Sequence, residues 1–304
     1  MSEHPILVAL PAPRRPAART SNGRTWSPSM RTVQLASMIV IAAVIVSPLI
    51  MLFVASLKSD RFQILSEMGS LKAFWVSNPS LRNFAEVATL TGAAPFGRYL
   101  LNSLFILTAT VVGSLLINSM GGFVLARGTL PGRALVLVCV IAVYVIPQES
   151  IVMPLLIMIT RLGLSDSFTA QILPWLASPF YIFLFYQFFA QMPRELHEAA
   201  ALDGASFFRI YRSIFLPLSL PTFATVSILV GVETWNQYLW PVLVSRTDYS
   251  RPISVAIASL FAADDVFWDR AMAASVLMML PILMFYLVFQ RWFVTAFISS
   301  AIKG

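Results

Sequence analysis

The sequence predicts an all-α membrane protein with six transmembrane helices, and three observations carry that expectation. The 304-residue chain is 58% hydrophobic and only 12% charged, with a mean hydropathy of +0.78, whereas a soluble globular domain is roughly 25% charged. Its apolar residues gather in runs of about twenty or more, the length at which a helix rising 1.5 Å per residue crosses a hydrocarbon core of roughly 30 Å. Between two such runs lies a charged island, residues 191–217, with Arg194, Glu195, Glu198, Asp203, Arg209 and Arg212. At several kcal/mol per charge near the bilayer centre, that island is not a lipid-facing crossing.

Residues 1–30 combine Pro5, Pro11, Pro13, Pro16 and Pro28 with Arg14, Arg15, Arg19 and Arg24 and show no helical period, which predicts a disordered basic tail. Arg14-Arg15 could open a twin-arginine export signal, but the apolar run that follows is too long and lacks a small-residue cleavage pattern. The first crossing falls within residues 31–57, from Val33 to Leu57, and is closed by Lys58, Ser59, Asp60 and Arg61. Residues 58–97 then read as a folded extracytoplasmic loop, with turns at Asn78-Pro79-Ser80 and Thr91-Gly92 to Pro95.

Residues 98–304 hold the remaining five crossings. The second runs from Tyr99 to Ala126, and a tight basic loop from Arg127 to Arg133 leads to the third, Ala134 to Thr160, with Pro147 and Pro154 inside it. The fourth covers Phe168 to Ala190 with Pro174 and Pro179, the fifth Leu218 to Val244, and the sixth Ala271 to Gln290. Six crossings put both termini on one face. With that face cytoplasmic, it holds Arg14, Arg15, Arg19, Arg24, Arg31, Arg127, Arg133, Arg194, Arg209, Arg212, Arg291 and Lys303 of the 21 basic residues. The opposite face has fewer basic residues and most of the acidic ones, a modest bias in the direction of the positive-inside rule.

Composition also removes function classes. The single cysteine, Cys139, sits in an apolar run and can form no intramolecular disulfide. His4 and His197 do not form the His-Glu-x-x-His pair that holds a zinc ion, and none of Lys58, Lys72 and Lys303 has the glycine-rich spacing of a phosphate-binding loop. The chain therefore offers no metal ligands and no catalytic residues, and it is not itself an ATPase. A formal charge of +7 would suggest nucleic acid in a soluble protein; in a membrane chain the basic residues set orientation.

Within the island, Pro193 suits a first helical turn, Arg194 to Asp203 are good helix formers, and Gly204 can take the left-handed conformation that ends a helix. Ser206 is placed to cap a second helix, in which Phe207, Ile210, Tyr211 and Ile214 form an apolar stripe opposite Arg209 and Arg212. Two short amphipathic helices joined at a glycine make an elbow. Ala199, Ala200 and Ala201 leave one side smooth enough for a partner's groove, with Glu198 and Asp203 at its rim. From these residues alone, a helix pair lying on the membrane surface is the favoured reading over docking.

Glu198-Ala199-Ala200, Asp203-Gly204 and Ile214-Phe215-Leu216-Pro217 resemble the EAA motif of importer-type ABC transporter permeases. The resemblance covers about residues 96–304 and looks closest to the carbohydrate permeases of the maltose-transporter second-subunit type. Trp235-Asn236-Gln237-Tyr238-Leu239-Trp240-Pro241 is similar to a signature of sugar and glycerol-phosphate permeases. Gln290-Arg291-Trp292-Phe293 and Ala301-Ile302-Lys303-Gly304 resemble the C-terminal end of those subunits, with Ile302 where valine is expected.

The resemblance implies an importer-type ABC permease fold whose elbow is a cytoplasmic coupling-helix pair seated in an ATPase subunit. Glu198 would form salt bridges and Gly204 would be the hinge, with Ala199, Ala200, Asp203, Leu216, Pro217, Lys303 and Gly304 completing the contact. The implied partners are a second homologous permease, an ABC ATPase dimer, an extracytoplasmic solute-binding protein and the lipid bilayer, with no nucleic acid. No cofactor is expected on this chain, ATP and Mg being used by the ATPase. The implied location is a bacterial inner membrane, multi-pass, with both termini cytoplasmic. The implied solute is a sugar or sugar-like molecule: an oligosaccharide, a monosaccharide or glycerol phosphate.

Ionisable residues inside crossings point to a water-accessible interior. Glu149 follows Pro147-Gln148, where a helix break is tolerated only beside protein or a cavity, and Glu233 precedes Trp235, Asn236 and Gln237, an aromatic-plus-amide set suited to sugars. The same groups could equally fasten helix to helix, and Asn102, Asn118, Gly113, Gly121 and Gly122 read as packing features. An ion-coupled secondary transporter using Glu149 and Glu233 is the competing reading. It needs no elbow, and the chain shows no convincing internal duplication of the kind such carriers carry.

Overall fold

The computed structural model describes the backbone of residues 28–89, 96–262 and 266–301, and the side chains of 32–89, 96–262, 266–284 and Leu287. Most of the expected basic tail, the turn at 91–95 and Lys303 and Gly304 lie outside these. Helix α1 (Pro28–Ser56) begins three residues inside the stretch expected as tail. The chain separates into two units, residues 1–48 and 49–304. In the first, the Ser37 and Ser47 hydroxyls donate to the carbonyls of Gln34 and Val44, so the helix satisfies its own polar groups as a lipid-facing helix must.

The second unit opens with a small folded excursion made of α2 (Arg61–Glu67), a 3-10 turn at Leu71–Phe74 and α3 (Arg82–Thr89). The Asp60 carboxylate caps α2 by accepting the Phe62 N–H at 2.9 Å. At its centre Lys58, 2% exposed, donates to Glu67 Oε2 at 2.6 Å and to the Lys72 carbonyl at 3.1 Å. Hydrogen bonds from Lys58 and then Gln63 hold the Glu67 carboxyl below the usual carboxylate range. Glu86 bridges Arg82 at 2.6 Å and Arg270 at 2.8 Å, which likewise keep its carboxyl low, Arg82 more strongly.

Helix α4 (Phe96–Arg127) continues unbroken through the core. The third and fourth expected crossings are broken. Helices α5 (Arg133–Tyr144) and α6 (Gln148–Arg161) meet at 96°, and α7 (Phe168–Ile172) with its 3-10 extension to Trp175 meets α8 (Pro179–Gln191) at 44°. The prolines account for both breaks: Pro147 starts α6, Pro174 lies in the 3-10 turn and Pro179 starts α8.

After α9 (Glu195–Leu202), a helical run comprises α10 (Phe207–Ile210), a π turn at Tyr211–Phe215 and α11 (Leu216–Leu218). It turns by 80° into α12 (Leu220–Asn236). The fifth expected crossing, Leu218 to Val244, therefore ends early: the chain breaks at Gln237 and Tyr238 and resumes as α13 (Leu239–Val244). Helix α14 (Ile253–Phe261) was not foreseen, its nine residues being too few to read as a crossing. The last, α15 (Trp268–Ala301), contains the sixth expected run. Among the described residues, two helices are by themselves long and apolar enough to cross a bilayer, and the count reaches five if each broken pair is one span.

Packing is closest between α4 and α8. A Cβ on Gly122 would meet Phe185 Cβ at 2.6 Å and the Tyr186 N at 2.7 Å, whereas one on Gly121 would make ordinary contacts from 3.6 Å. Polar residues of α4 fasten its neighbours. Asn118 donates to the Leu176 carbonyl at 3.0 Å and accepts from the Ser178 N–H at 2.8 Å, and Asn102 donates to the carbonyls of Tyr249 and Arg251. Both asparagines thus hold helices or loops in place. Asp166, at φ 60°, clamps the loop before α14 through the Thr247 hydroxyl and the N–H groups of Arg246 and Thr247. Burial alone would raise its carboxyl, but these bonds and the Ser250 hydroxyl hold it below the ordinary value.

Gly122→Ala is expected to lower the thermal midpoint of the purified protein, overpacking typically costing about 1–3 kcal/mol, while Gly121→Ala leaves it nearly unchanged. Equal midpoints for the two variants would contradict the packing account. Because the folded-state carboxyl of Asp166 is depressed, its contribution is present above the unfolded value of about 3.9 and lost as pH falls through the lower folded value. The midpoint gap between wild type and Asp166→Asn should therefore be widest near neutral pH and narrow as pH drops below about 4. A gap independent of pH counts against it.

Candidate functional site

The elbow follows from local chemistry. Helix α9 ends in a Schellman arrangement: Gly204, at φ 77°, donates to the Ala201 carbonyl and Ala205 donates to the Ala200 carbonyl, both at 3.0 Å. The Ser206 hydroxyl accepts the Arg209 N–H at 3.3 Å and starts α10. Ala200 and Ala205, on either side of the turn, pack against an aromatic core built from Phe123, Phe185, Phe189 and Phe215.

That core is the seat of the elbow. Ile210, Tyr211 and Phe215 are buried in it and Ile214 packs on its edge, so the apolar stripe of the second helix faces α4 and α8. The Tyr211 hydroxyl meets Ser119 Oγ of α4 at 2.6 Å in a buried pair. Arg127, at the end of α4, donates through Nη2 to the Phe189 carbonyl at 2.7 Å and to the Met192 carbonyl, with its guanidinium 5.3 Å from the Phe215 ring centre. The His197 ring of α9 lies 5.8 Å from Phe207 and 6.3 Å from Phe123. Four elements are locked at one point.

The opposite side of the elbow is bare. Glu198, Ala199, Ala201, Asp203 and Gly204 are exposed, as is Pro217, while Leu216 is half-buried. Leu202 at the tip is 89% exposed and Phe208 is 56% exposed. Both are apolar residues of the tip that the sequence reading did not single out. Their spacing from the alanines was the available cue, since Leu202 precedes the Asp203-Gly204 stop.

The second feature is a cavity of about 670 Å³, open on the side of the exposed segment Val143 to Glu149. The broken segment Val145-Ile146-Pro147 lines it, together with Gln148 and Glu149 at the start of α6, Trp175 and Ser178 at the α7–α8 break, and Tyr181. Glu233, Thr234 and Gln237 from α12 complete the wall, with Thr110 from α4. Irregular backbone at this depth is tolerated where it borders a cavity, and here the breaks and the cavity coincide. Glu233 Oε2 accepts the Tyr181 hydroxyl at 2.8 Å.

Glu149, Glu233 and Gln237 are thus brought together; Trp235 and Asn236 are not. Trp235 is 7% exposed and buried with Ile253, Ala273 and Ala274, away from the cavity. Asn236 turns back to donate to the Val232 carbonyl at 2.8 Å. Helical rotation explains the split, since residues 233, 234 and 237 share one face of α12 and 235 and 236 do not. The aromatic surface comes instead from Tyr144, Trp175, Phe180 and Tyr181.

Residues 118–299 match the family model described as binding-protein-dependent transport system inner membrane component. The chain is similar to the arabinooligosaccharides transport system permease protein AraQ of Halalkalibacterium halodurans, 32% identical over 281 residues, 92% of this chain and 99% of the relative. It is also similar to the sn-glycerol-3-phosphate transport system permease protein UgpE of Pectobacterium atrosepticum, 36% identical over 208 residues, 68% of this chain and 74% of that one. Among solved structures, a chain of a bacterial ABC transporter involved in the import of the acidic polysaccharide alginate has the same fold. Its TM-score is 0.75 at 21% identity, covering 88% of this chain and 99% of the other.

Tyr211→Phe should remove the buried bond to Ser119 Oγ, leaving that hydroxyl only its 3.3 Å bond to the Leu116 carbonyl, and lower the thermal midpoint, at a cost of about 0.5–1.5 kcal/mol. Arg127→Ala should free the end of α8 and speed limited trypsin cleavage after Arg194. Cleavage at the wild-type rate would show that Arg127 does not hold the elbow.

Proposed function

Since the chain belongs to the binding-protein-dependent transport system inner membrane component family and is a non-catalytic permease subunit of an ABC importer, we propose that it forms half of a translocation path for a sugar or sugar-like solute. That class spans an oligosaccharide, a monosaccharide or glycerol phosphate, in keeping with the names of the relatives. A second homologous permease faces the cavity and closes the path, an extracytoplasmic solute-binding protein delivers the solute, and an ABC ATPase dimer using ATP and Mg drives it. The subunit resides in a bacterial inner membrane with both termini and the elbow cytoplasmic. Family membership disfavours the ion-coupled carrier.

The observation that carries this reading is the elbow's two-sidedness. Its inner face is fixed to α4 and α8 by the aromatic core and the Tyr211–Ser119 pair, and its outer face presents Glu198, Ala199, Ala201, Leu202 and Asp203, uncovered by any of the described residues. A device that only lay on the membrane would bury its apolar tip in lipid and would gain nothing from a rigid inner seat. A push on the outer face reaches α8, and α8 carries Tyr181 of the cavity wall. Roughly 5.5 kcal/mol of preference swings a two-state gate from 1:99 to 99:1, which ATP-driven closure of the ATPase dimer can supply through the elbow.

Gly204→Leu tests it. At φ 77° an L side chain costs roughly 1–2 kcal/mol, and a Cβ there meets no neighbour within 4 Å, so the fold should persist while the elbow shape is lost. Solute uptake should drop at least tenfold and the ATPase should no longer copurify. Normal uptake with an intact complex would refute the coupling role.

A further inference from the structure

The cavity allows the solute class to be narrowed, an inference that rests on the proposed role of this cavity as the solute path. Among the described residues that line it there are two carboxylates, Glu149 and Glu233, and no lysine, arginine or histidine. Glu233 is held in place by the Tyr181 hydroxyl, which donates to one of its oxygens and leaves the other free to accept. Two carboxylates facing one cavity repel an anion and attract the hydroxyl groups of a neutral molecule, the more strongly because the apolar walls lower the local dielectric.

The Tyr144 and Phe180 rings, which line the same space, stack at 5.3 Å and 23°, a flat surface of the kind on which the C–H face of a pyranose or furanose ring rests. Carboxylate acceptors and an aromatic plane are the complement of an uncharged polyhydroxylated ring.

We infer that the cavity takes a neutral saccharide and rejects anionic solutes, with Glu149 and Glu233 accepting from its hydroxyls. This separates the chain from two proteins it resembles, whose names give glycerol phosphate and an acidic polysaccharide, and aligns it with the arabinooligosaccharide permease.

The test uses the assembled transporter in detergent, with Cys139→Ala and Gln237→Cys in this subunit, and follows alkylation of the cavity thiol. Arabinotriose as the neutral probe should slow alkylation at least fivefold, while glycerol 3-phosphate and an alginate trisaccharide at the same concentration should leave it unchanged. In Glu149→Lys with Glu233→Lys, the preference should reverse toward the anions. Protection of the unaltered cavity by either anion as strong as by arabinotriose would overturn the neutral assignment while keeping the cavity on the solute path. Protection by none of the three, with a complex that still hydrolyses ATP, would remove the cavity from the path and the inference with it.

Discussion

Everything in this fold turns on how closely α4 and α8 approach at Gly122. There is no room for a Cβ between Gly122 and the Phe185–Tyr186 backbone, and in a bilayer, where burying apolar surface gives no net drive between helices, such tight packing is a main source of association. The contact aligns Phe123 with Phe185 and Phe189, and the aromatic platform they form receives Phe215 and Tyr211 from the elbow. Move α8 outward by the width of a methyl group and the platform opens, Arg127 loses the carbonyls of Phe189 and Met192, and the elbow has nothing rigid beneath it.

The same helix pair joins the elbow and the cavity. Helix α8 has Phe189 under the elbow and Tyr181 in the cavity wall, about two turns apart, and α4 has Ser119 beneath the elbow with Thr110 facing the cavity. The connection is a pair of short rigid rods. By contrast the other wall of the cavity is made of broken elements, the α5–α6 break at Val145 to Pro147 and the end of α12 at Gln237. Such breaks release backbone groups that need partners or water, which confines them to the cavity margin. The stiff wall can transmit a displacement, and the irregular wall can change shape in response.

Much of this was legible in the residues, for physical reasons that differ from place to place. The elbow could be read because its chemistry is local: a glycine at positive φ, a serine cap and a stripe at helical spacing need no knowledge of the rest of the chain. The close-packing glycines and the two asparagines of α4 were readable in kind, though not the partners they find. The shape of the crossings was less accessible. Pro147, Pro174 and Pro179 announce breaks, but the angles of 96° and 44° depend on tertiary packing. At α12 the sequence placed Trp235, Asn236 and Gln237 together in the solute path, and only Gln237 shares the cavity face with Glu233. Which residues of a helix face a cavity is set by its rotation against α4 and α15, and no local signal encodes that. Leu202, Thr110 and Tyr181 were passed over because a leucine, a threonine and a tyrosine in an apolar chain look like packing until their surroundings are known.

The central claim is that the outer face of the elbow is held by a nucleotide-hydrolysing partner. A photo-crosslinking residue installed at Leu202 in the assembled transporter, in native membranes, tests it directly. The account predicts an adduct with the ATPase subunit whose yield changes when ATP is added. Adducts with lipid alone, or labelling by a reagent confined to the extracytoplasmic side, would contradict it.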